Sequence, residues 1–240
     1  MIVKADINCD IGCVRQNNED IILLNGDIFR DKSQKRIFDL SPKARFSAIV
    51  ADGMGGHNGG EFASEIAVQK FDEFLLSLPN GLREADIILQ FKNWAEETHS
   101  FMISKSYELP DCEGMGTTLC GIVFYEDYVF AINIGDSRLY RFRDGILKQK
   151  TTDHSMRELT GDMSYPSGQI YNSLGAGTKA FADVISLTGQ VLDEDIFLVC
   201  SDGLSDMLDN EMIEQILNND PCAEKLVSAA RQAEIGRAHV

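Results

Sequence analysis

The chain has 240 residues, a length that allows one large domain or two small ones. Its 38 acidic and 22 basic residues give a net charge of −16, which argues against nucleic acid and anionic membranes as partners because both are polyanions. No apolar run approaches the roughly 20 residues of a membrane helix, and the first residues lack a signal-peptide layout, so we expect a cytoplasmic protein.

Six short runs of β-branched and aromatic residues predict strands, at 21–24, 46–51, 119–125, 128–134, 138–142 and 196–200. Glu126-Asp127 separates the third run from the fourth, and a turn sequence ending in Asp144-Gly145 follows the fifth. Short turns of this kind connect antiparallel strands, whereas parallel strands need a long crossover. The sequence therefore predicts sequential hairpins rather than repeated βαβ units.

Helical spacing of apolar residues appears in two blocks, each of which predicts a helix pair. The first block spans 62–78 and 87–102, between the second and third predicted strands. In the second block Asp209 is placed to cap one helix, and Asp220-Pro221 opens another. Strands and helices segregate along the chain, and no flexible linker interrupts them. We therefore predict one α+β domain with a sandwich of sheets and helices packed outside it.

Three of the predicted strands run into a turn that pairs an aspartate with glycine. The pairs are Asp52-Gly53, Gly135-Asp136 and Asp202-Gly203. If the strands are neighbours, the three carboxylates converge, and glycine lets the backbone carbonyl approach as a further oxygen ligand. Oxygen ligands favour Mg²⁺ or Mn²⁺ over zinc. The acidic chain is thus expected to hold a hard divalent cation at this end of the sheets.

Two other segments bear on the chemistry. Arg15 lies shortly before Glu19-Asp20, so an arginine fork suited to phosphate would sit beside carboxylates that can order metal-bound water. The glycine-rich loop 52–60 lacks the GxxxxGK[ST] pattern, which gives an NTPase little support. The six cysteines form no CxxC pair, and we expect reduced thiols in the core.

With these motifs in order, the chain resembles the metal-dependent serine/threonine protein phosphatases, the PPM or type 2C family, in their compact bacterial form. The resemblance rests on Arg15 with Asn18-Glu19-Asp20, Asp52-Gly53-Met54-Gly55-Gly56-His57, Gly114-Met115-Gly116-Thr117-Thr118, Gly135-Asp136-Ser137-Arg138, Asp153-His154-Ser155 and Ser201-Asp202-Gly203-Leu204. It implies a four-layer β-sandwich of two antiparallel sheets flanked by pairs of antiparallel helices.

The resemblance also implies the metal ligands. Asp52 would bridge two Mn²⁺ or Mg²⁺ ions, with the Gly53 carbonyl on one ion and Asp202 on the other. Asp136 would serve a third, looser metal, to which Asp202 also contributes. A water bridging the first two cations would attack phosphorus in line and displace the serine or threonine oxygen.

The remaining implied roles concern the substrate and the water shell. Glu19 and Asp20 would act through metal-bound water, and Arg15 would hold the substrate phosphate. Arg15 and Asp52 are therefore the expected catalytic residues. Met54 occupies the place of a general-acid histidine found in some relatives, and His57 and His154 are expected to be structural. The segment 156–170, which corresponds to the family's flap, is expected to set substrate preference.

The end of the sequence departs from the family pattern. Family members finish with a Gly-Lys-Asp-Asn-like turn and a final strand, whose aspartate binds the first metal. The expected phosphatase domain spans 1–233 without that strand. Residues 234–240 can be back-translated into the start of a common sequencing adapter, so we expect a non-native tail there.

The leading hypothesis is metal-dependent hydrolysis of phosphoserine and phosphothreonine in proteins, in a signalling role opposite a serine/threonine kinase. We expect a monomer that binds phosphorylated proteins and neither nucleic acid nor membrane. The alternative is a catalytically silent phosphatase-fold module with a binding or regulatory role. A calcium-binding structural protein has only the acidity in its favour, since no EF-hand loop is present.

Overall fold

The computed structural model describes residues 1–41, 43–55, 59–109 and 112–238, which form twelve strands and six helices. The strands are β1 (Ile2–Asn8), β2 (Asp20–Leu24), β3 (Asp27–Phe29), β4 (Ser33–Asp39), β5 (Arg45–Met54), β6 (Gly116–Thr117), β7 (Leu119–Tyr125), β8 (Tyr128–Ile134), β9 (Arg138–Arg143), β10 (Ile146–Gln149), β11 (Asp183–Ser186) and β12 (Ile196–Cys200). The helices are α1 (Gly59–Ser77), α2 (Glu84–Glu108), α3 (Met156–Thr160), α4 (Asp202–Ser205), α5 (Asn210–Asn219) and α6 (Ala223–Ala238).

The strands pair antiparallel throughout the described ranges. The larger sheet has the order β11-β8-β7-β5-β2-β3, and the short β6 pairs with the end of β5. Facing it lie two separate ladders, β10-β9-β12 and β1-β4. The predicted hairpins are confirmed: Glu126 and Asp144 occupy the left-handed turn conformation, with φ of 51° at each. Such conformations match the twist of two-residue hairpins.

Three apolar cores separate four layers. Helices α1 and α2 pack on one face of the larger sheet, around Phe71, Phe91 and Phe130. The second core fills the space between the sheets, and it includes Phe46 and Ile122. The third lies between the β9-β12 ladder and helices α4–α6. The predicted α+β sandwich with helices on both outer faces is therefore confirmed.

Strand β7 lies in the interior of the larger sheet. All seven of its residues are buried, because the strand has a core on each face and a partner strand on each side. Val123 contributes to the core beneath the helices, and its neighbours Ile122 and Phe124 contribute to the core between the sheets. A strand buried on both faces reads as a continuous apolar run, which is why it is predictable from sequence.

All six predicted strands are present, and the remaining six were not predicted. The unpredicted strands are β1, β3, β4, β6, β10 and β11. β4 has the burial pattern of an exposed strand, with polar residues on most positions, so it carries little apolar signal. Both predicted helix pairs are also present, and Asp209 caps α5 by accepting a hydrogen bond from the Met212 N–H.

The six cysteines differ in their exposure to solvent. Four cysteines are buried, but Cys13 is exposed and Cys222 is half-buried, so the expectation of core thiols is wrong for these two.

Helix α6 continues past residue 233, and the Glu234 carboxylate accepts a hydrogen bond from the Cys13 N–H at 2.9 Å. No helix within the described ranges is long and apolar enough to cross a membrane.

The aromatic cluster beneath the helices gives a test of which contacts hold the fold. Phe91 is fully buried, with its ring centroid 6.0 Å from Phe71 and 5.9 Å from Phe130. Replacing Phe91 by Ala should lower the free energy of unfolding by about 3–5 kcal/mol, because it leaves a cavity. Leu89, on the same helix and 54% exposed, is the control, and Leu89→Ala should change stability by less than about 0.5 kcal/mol. Urea unfolding measures both, and equal losses would contradict the assignment of this core.

Candidate active site

Two aspartates face each other at the end of the larger sheet. Asp20 begins β2, and the strand register places it directly opposite Asp52 on β5. Like charges at directly opposed positions of an antiparallel pair destabilise the sheet. Both residues are half-buried, so the pair is a strong candidate for a cation site.

Asp202 approaches the same pair from the facing ladder. It follows β12 and begins α4, and it lies within electrostatic reach of the Asp52 carboxyl. Burial raises the pKa of Asp52 well above its usual range, and the charges of Asp20 and Asp202 raise it further. Burial also raises the pKa of Asp20 and of Asp202. The two sheets therefore bring together three carboxyls at one point, as the motifs predict.

Asp136 is a fourth carboxyl near this acidic group. It follows β8, and burial together with the charge of Asp202 raises its pKa to about 7. The preceding Gly135 has a φ of +104°, and a Cβ there would lie 2.6 Å from the Thr118 side chain. Only glycine fits this turn, which sends the chain from β8 toward the site.

The backbone around Asp52 is fixed by hydrogen bonds. The Asp52 carbonyl accepts from the Thr118 N–H and from the Thr117 hydroxyl, each at 2.9 Å. The Gly53 N–H donates to the Glu19 carbonyl at 3.1 Å. A Cβ on Gly53 would lie 2.0 Å from the Gly60 carbonyl oxygen, so position 53 requires glycine because helix α1 starts against it.

Glu19 and Arg15 occupy the solvent side of the site. The Arg15 guanidinium lies 3.4 Å from the Glu19 carboxylate, and 75% of the Arg15 side chain is exposed. Its positive charge opposes the rise in the pKa of Asp20 and Asp202, so it lies within electrostatic reach of both. The structure thus brings every predicted site residue to one end of the sandwich.

The donor set of the site consists of carboxyls. The described residues contain no three His, Cys, Asp or Glu side chains already arranged as a metal cage, but the charges of Asp20 and Asp202 both act on Asp52. Their chemistry nevertheless fits hard cations, since every donor is an oxygen and the carboxyls are crowded enough to repel when ionised. A bound divalent cation would offset that repulsion.

Two groups that position the site are not apparent from the sequence. The Arg30 side chain donates from Nε to the Asp20 carbonyl at 3.3 Å, and from Nη2 to the Ser64 hydroxyl at 3.1 Å. Ser64 in turn donates to the Glu19 carbonyl at 2.7 Å. These bonds tie the start of β2 to helix α1. Arg30 follows the very short β3, where no pattern marks it as buried.

A second positioning contact joins the β9-β12 ladder to the larger sheet. The Ser201 hydroxyl donates to the Asp20 carboxylate at 2.6 Å, although the two residues are separated by 181 positions in sequence. It lowers the pKa of Asp20 against the larger effect of burial. Ser201 therefore holds one carboxylate of the site in place from the opposite sheet.

His154, one of the two motif histidines, has hydrogen-bond partners on both ring nitrogens. His154 is buried, and its Nδ1 accepts from the Gly135 N–H at 3.1 Å and from the Asn172 amide at 2.6 Å. Its Nε2 lies 3.1 Å from the Asp183 carboxylate, so both ring nitrogens have partners. This geometry agrees with the expected structural role. His57 lies outside the described residues.

The segment 156–170 reaches the site at one point. It starts with helix α3, whose N-cap Ser155 accepts a hydrogen bond from the Glu158 N–H. Further along, a Cβ placed on Gly168 would lie 4.0 Å from the Asp202 carboxylate. The segment therefore passes over Asp202, where it can contact a molecule bound at the site.

Comparison with known proteins agrees with this geometry. Residues 24–234 match the family model described as protein phosphatase 2C. The serine/threonine phosphatase stp of Listeria monocytogenes serotype 4b (strain F2365) is 33% identical over 227 residues, which cover 90% of this chain and 84% of that protein.

Solved structures show the same architecture. The serine/threonine phosphatase of S. agalactiae has a TM-score of 0.80 at 24% identity and covers 97% of this chain and 94% of its own. A catalytic domain of the phosphatase PstP, in complex with 2 manganese ions, has a TM-score of 0.69 at 26% identity, over 97% of this chain and 92% of that one. These matches confirm the resemblance inferred from the motifs: the chain belongs to the protein phosphatase 2C family of serine/threonine phosphatases.

Proposed function

We propose that this protein hydrolyses phosphoserine and phosphothreonine in proteins with the help of divalent cations, Mn²⁺ or Mg²⁺. The observation that carries the proposal is the meeting of Asp20, Asp52 and Asp202 from two facing sheets, with Arg15 at the solvent side. Crowded carboxyls beside one exposed guanidinium suit cations on one side and a phosphate on the other. Family membership supports the same reaction.

The proposed metal ligands are the side chains of Asp52, Asp136 and Asp202 and the carbonyl of Gly53. Asp52 would contact two cations, and Asp136 with Asp202 would serve a third. When bound, the cations would supply Lewis acidity toward water and toward the phosphate oxygens. In the chain itself, the hydrogen bonds to the Asp52 backbone would hold this central carboxylate in position.

Arg15 is the proposed phosphate-binding residue. Its guanidinium is exposed, and its single described ion pair, with Glu19 at 3.4 Å, is weak enough to be exchanged for a substrate. A guanidinium can donate two parallel hydrogen bonds to a phosphate, which orients as well as attracts it. Glu19 and Asp20 would order water around the cations, with Arg30 and Ser64 holding their backbone.

The proposed substrates are phosphorylated proteins of a serine/threonine kinase, and the protein would act in the cytoplasm as a monomer. The segment 156–170 would contribute to substrate preference, because Gly168 brings it next to Asp202. The bacterial relatives named as serine/threonine phosphatases support a phosphoprotein substrate.

Cation dependence is the first test of this function. With a phosphothreonine peptide and Mn²⁺ or Mg²⁺, the protein should release phosphate, and EDTA should abolish the release because the carboxyls alone have no means of activating water. Colorimetric phosphate detection measures both. Readdition of Mn²⁺ after EDTA is the control for irreversible damage. Release that continues unchanged in EDTA would contradict the proposal, and release absent with both metals would favour a silent binding module.

Two substitutions should separate the roles of the site residues. Asp52→Asn should lower kcat by about a hundredfold or more, since it removes a charge expected to contact two cations, whereas Arg15→Ala should chiefly raise KM. Steady-state kinetics on the same peptide measure both. Arg36→Ala, which removes an exposed cation from β4, is the matched control and should leave both constants unchanged. An unchanged KM for Arg15→Ala would argue against a phosphate-binding role.

A further inference from the structure

The hairpin formed by β9 and β10 concentrates positive charge on one face. Arg141 lies directly opposite Lys148 in the register, and the Lys150 N–H continues the ladder by donating to the Leu139 carbonyl at 2.7 Å. Because side chains alternate along a strand, Arg143, Arg141, Lys148 and Lys150 share one face. We call these four residues the basic cluster.

The basic cluster faces the space between the sheets. Leu139, on the same face of β9, belongs to the core between the sheets, whereas Tyr140 and Phe142 on the opposite face belong to the third core, between the β9-β12 ladder and helices α4–α6. In the described part of the chain β10 pairs only with β9, so the cluster lies along an open edge of the sandwich. Lys148 is exposed there, and Arg141 and Lys150 are half-buried.

Acidic residues compensate only part of this charge. Asp195 pairs with Arg143 at 2.5 Å and 2.6 Å, which lowers the pKa of Asp195. Asp144, in the exposed turn, also acts on Arg143. Arg141, Lys148 and Lys150 form no ion pair with any residue in the described ranges. This local excess of cations stands in a chain whose net charge is −16.

The cluster is costly as it stands. The Nε of Arg141 is buried and has no hydrogen-bond partner in the described structure, and such a donor costs free energy. Arg141 and Lys148 are like charges at directly opposed positions of the ladder. Burial lowers the pKa of Lys150, the charges of Arg141, Lys148 and Arg143 lower it further, and the charge of Asp195 opposes the shift. An anion bound between these side chains would relieve each of these costs.

We propose that the basic cluster is a second, non-catalytic binding site for a phosphate group. A guanidinium with an unused N–H beside two ammonium groups matches the oxygens of a phosphate, which accept charge-assisted hydrogen bonds. The cluster is distinct from the proposed metal ligands, since the charges that chiefly shift the Lys150 pKa are those of Arg141, Lys148, Arg143 and Asp195. The phosphate could come from two sources, free inorganic phosphate released by the reaction or a phosphorylated residue of a protein substrate.

The test is isothermal titration of the full chain with inorganic phosphate, in Mn²⁺ and again in EDTA, at constant ionic strength set with chloride. Lys148→Gln/Lys150→Gln should weaken phosphate binding roughly tenfold or more, since charge-assisted bonds are lost. Lys4→Gln/Lys92→Gln removes the same charge from exposed positions elsewhere and should bind as the unmodified chain does. Without phosphate, the cluster variant should be at least as stable as the control, because repulsion is relieved.

Three outcomes would overturn the site. Equal phosphate affinity in the cluster variant and in the control variant would place the anion elsewhere. Loss of all phosphate binding in Arg15→Ala would assign it to the catalytic site. If phosphate binds no better than chloride, the basic cluster is not a phosphate site, and anions act there only by screening the repulsion between its charges. None of these results depends on catalysis, so the proposed phosphatase activity would stand or fall separately.

A second measurement distinguishes the two phosphate sources. A peptide with two phosphorylated residues should have a lower KM than its singly phosphorylated counterpart if the cluster binds protein substrates, and the advantage should disappear in Lys148→Gln/Lys150→Gln. Phosphate binding without any such advantage would assign the site to free phosphate. In both cases the cluster variant should keep its kcat on the singly phosphorylated peptide.

Discussion

The repulsion between Asp20 and Asp52 is the constraint on which the site depends. The register of β2 and β5 makes these residues direct neighbours, and Asp202 joins them from the facing sheet. A fold that only had to be stable would not place carboxyls in this way, since burial disfavours their charged forms. The sandwich supplies what holds them there, namely paired strands on both sides and a hydrogen-bonded backbone. The same crowding gives the site its affinity for cations.

Close backbone approach is the second requirement, and it explains two glycines. Helix α1 starts so near β5 that any side chain at Gly53 would collide with the Gly60 carbonyl. A Cβ on Gly60 would in turn lie 2.3 Å from the Glu19 carboxylate. The end of β5, the start of the helix and the start of β2 are therefore closely packed together, and Arg30 and Ser64 add their hydrogen bonds. The two glycines are therefore required by the packing of α1 against β5, and the same packing positions the backbone of the candidate active site.

The sequence predicted the fold where burial gives a pattern. Strands β7 and β12 are apolar runs, and the pairs of aspartate and glycine that follow three apolar strands predict where the carboxyls converge. The exposed β4 and the short β11 carry no such pattern, so they were missed. The role of Arg30 in positioning the site is not predictable from the sequence, for a different reason. Its importance comes from contacts with Ser64 and with backbone carbonyls distant in sequence, which spacing along the chain cannot reveal.

The bond between Ser201 and Asp20 has a consequence for how the protein becomes functional. It joins residues 181 positions apart, and Asp52 likewise waits for Asp202. At about 5–20 residues per second, synthesis of that intervening stretch takes roughly 10–40 s. During this time Asp20 and Asp52 have no partner from the β9-β12 ladder. The candidate active site therefore cannot be completed until Ser201 and Asp202 have been synthesised.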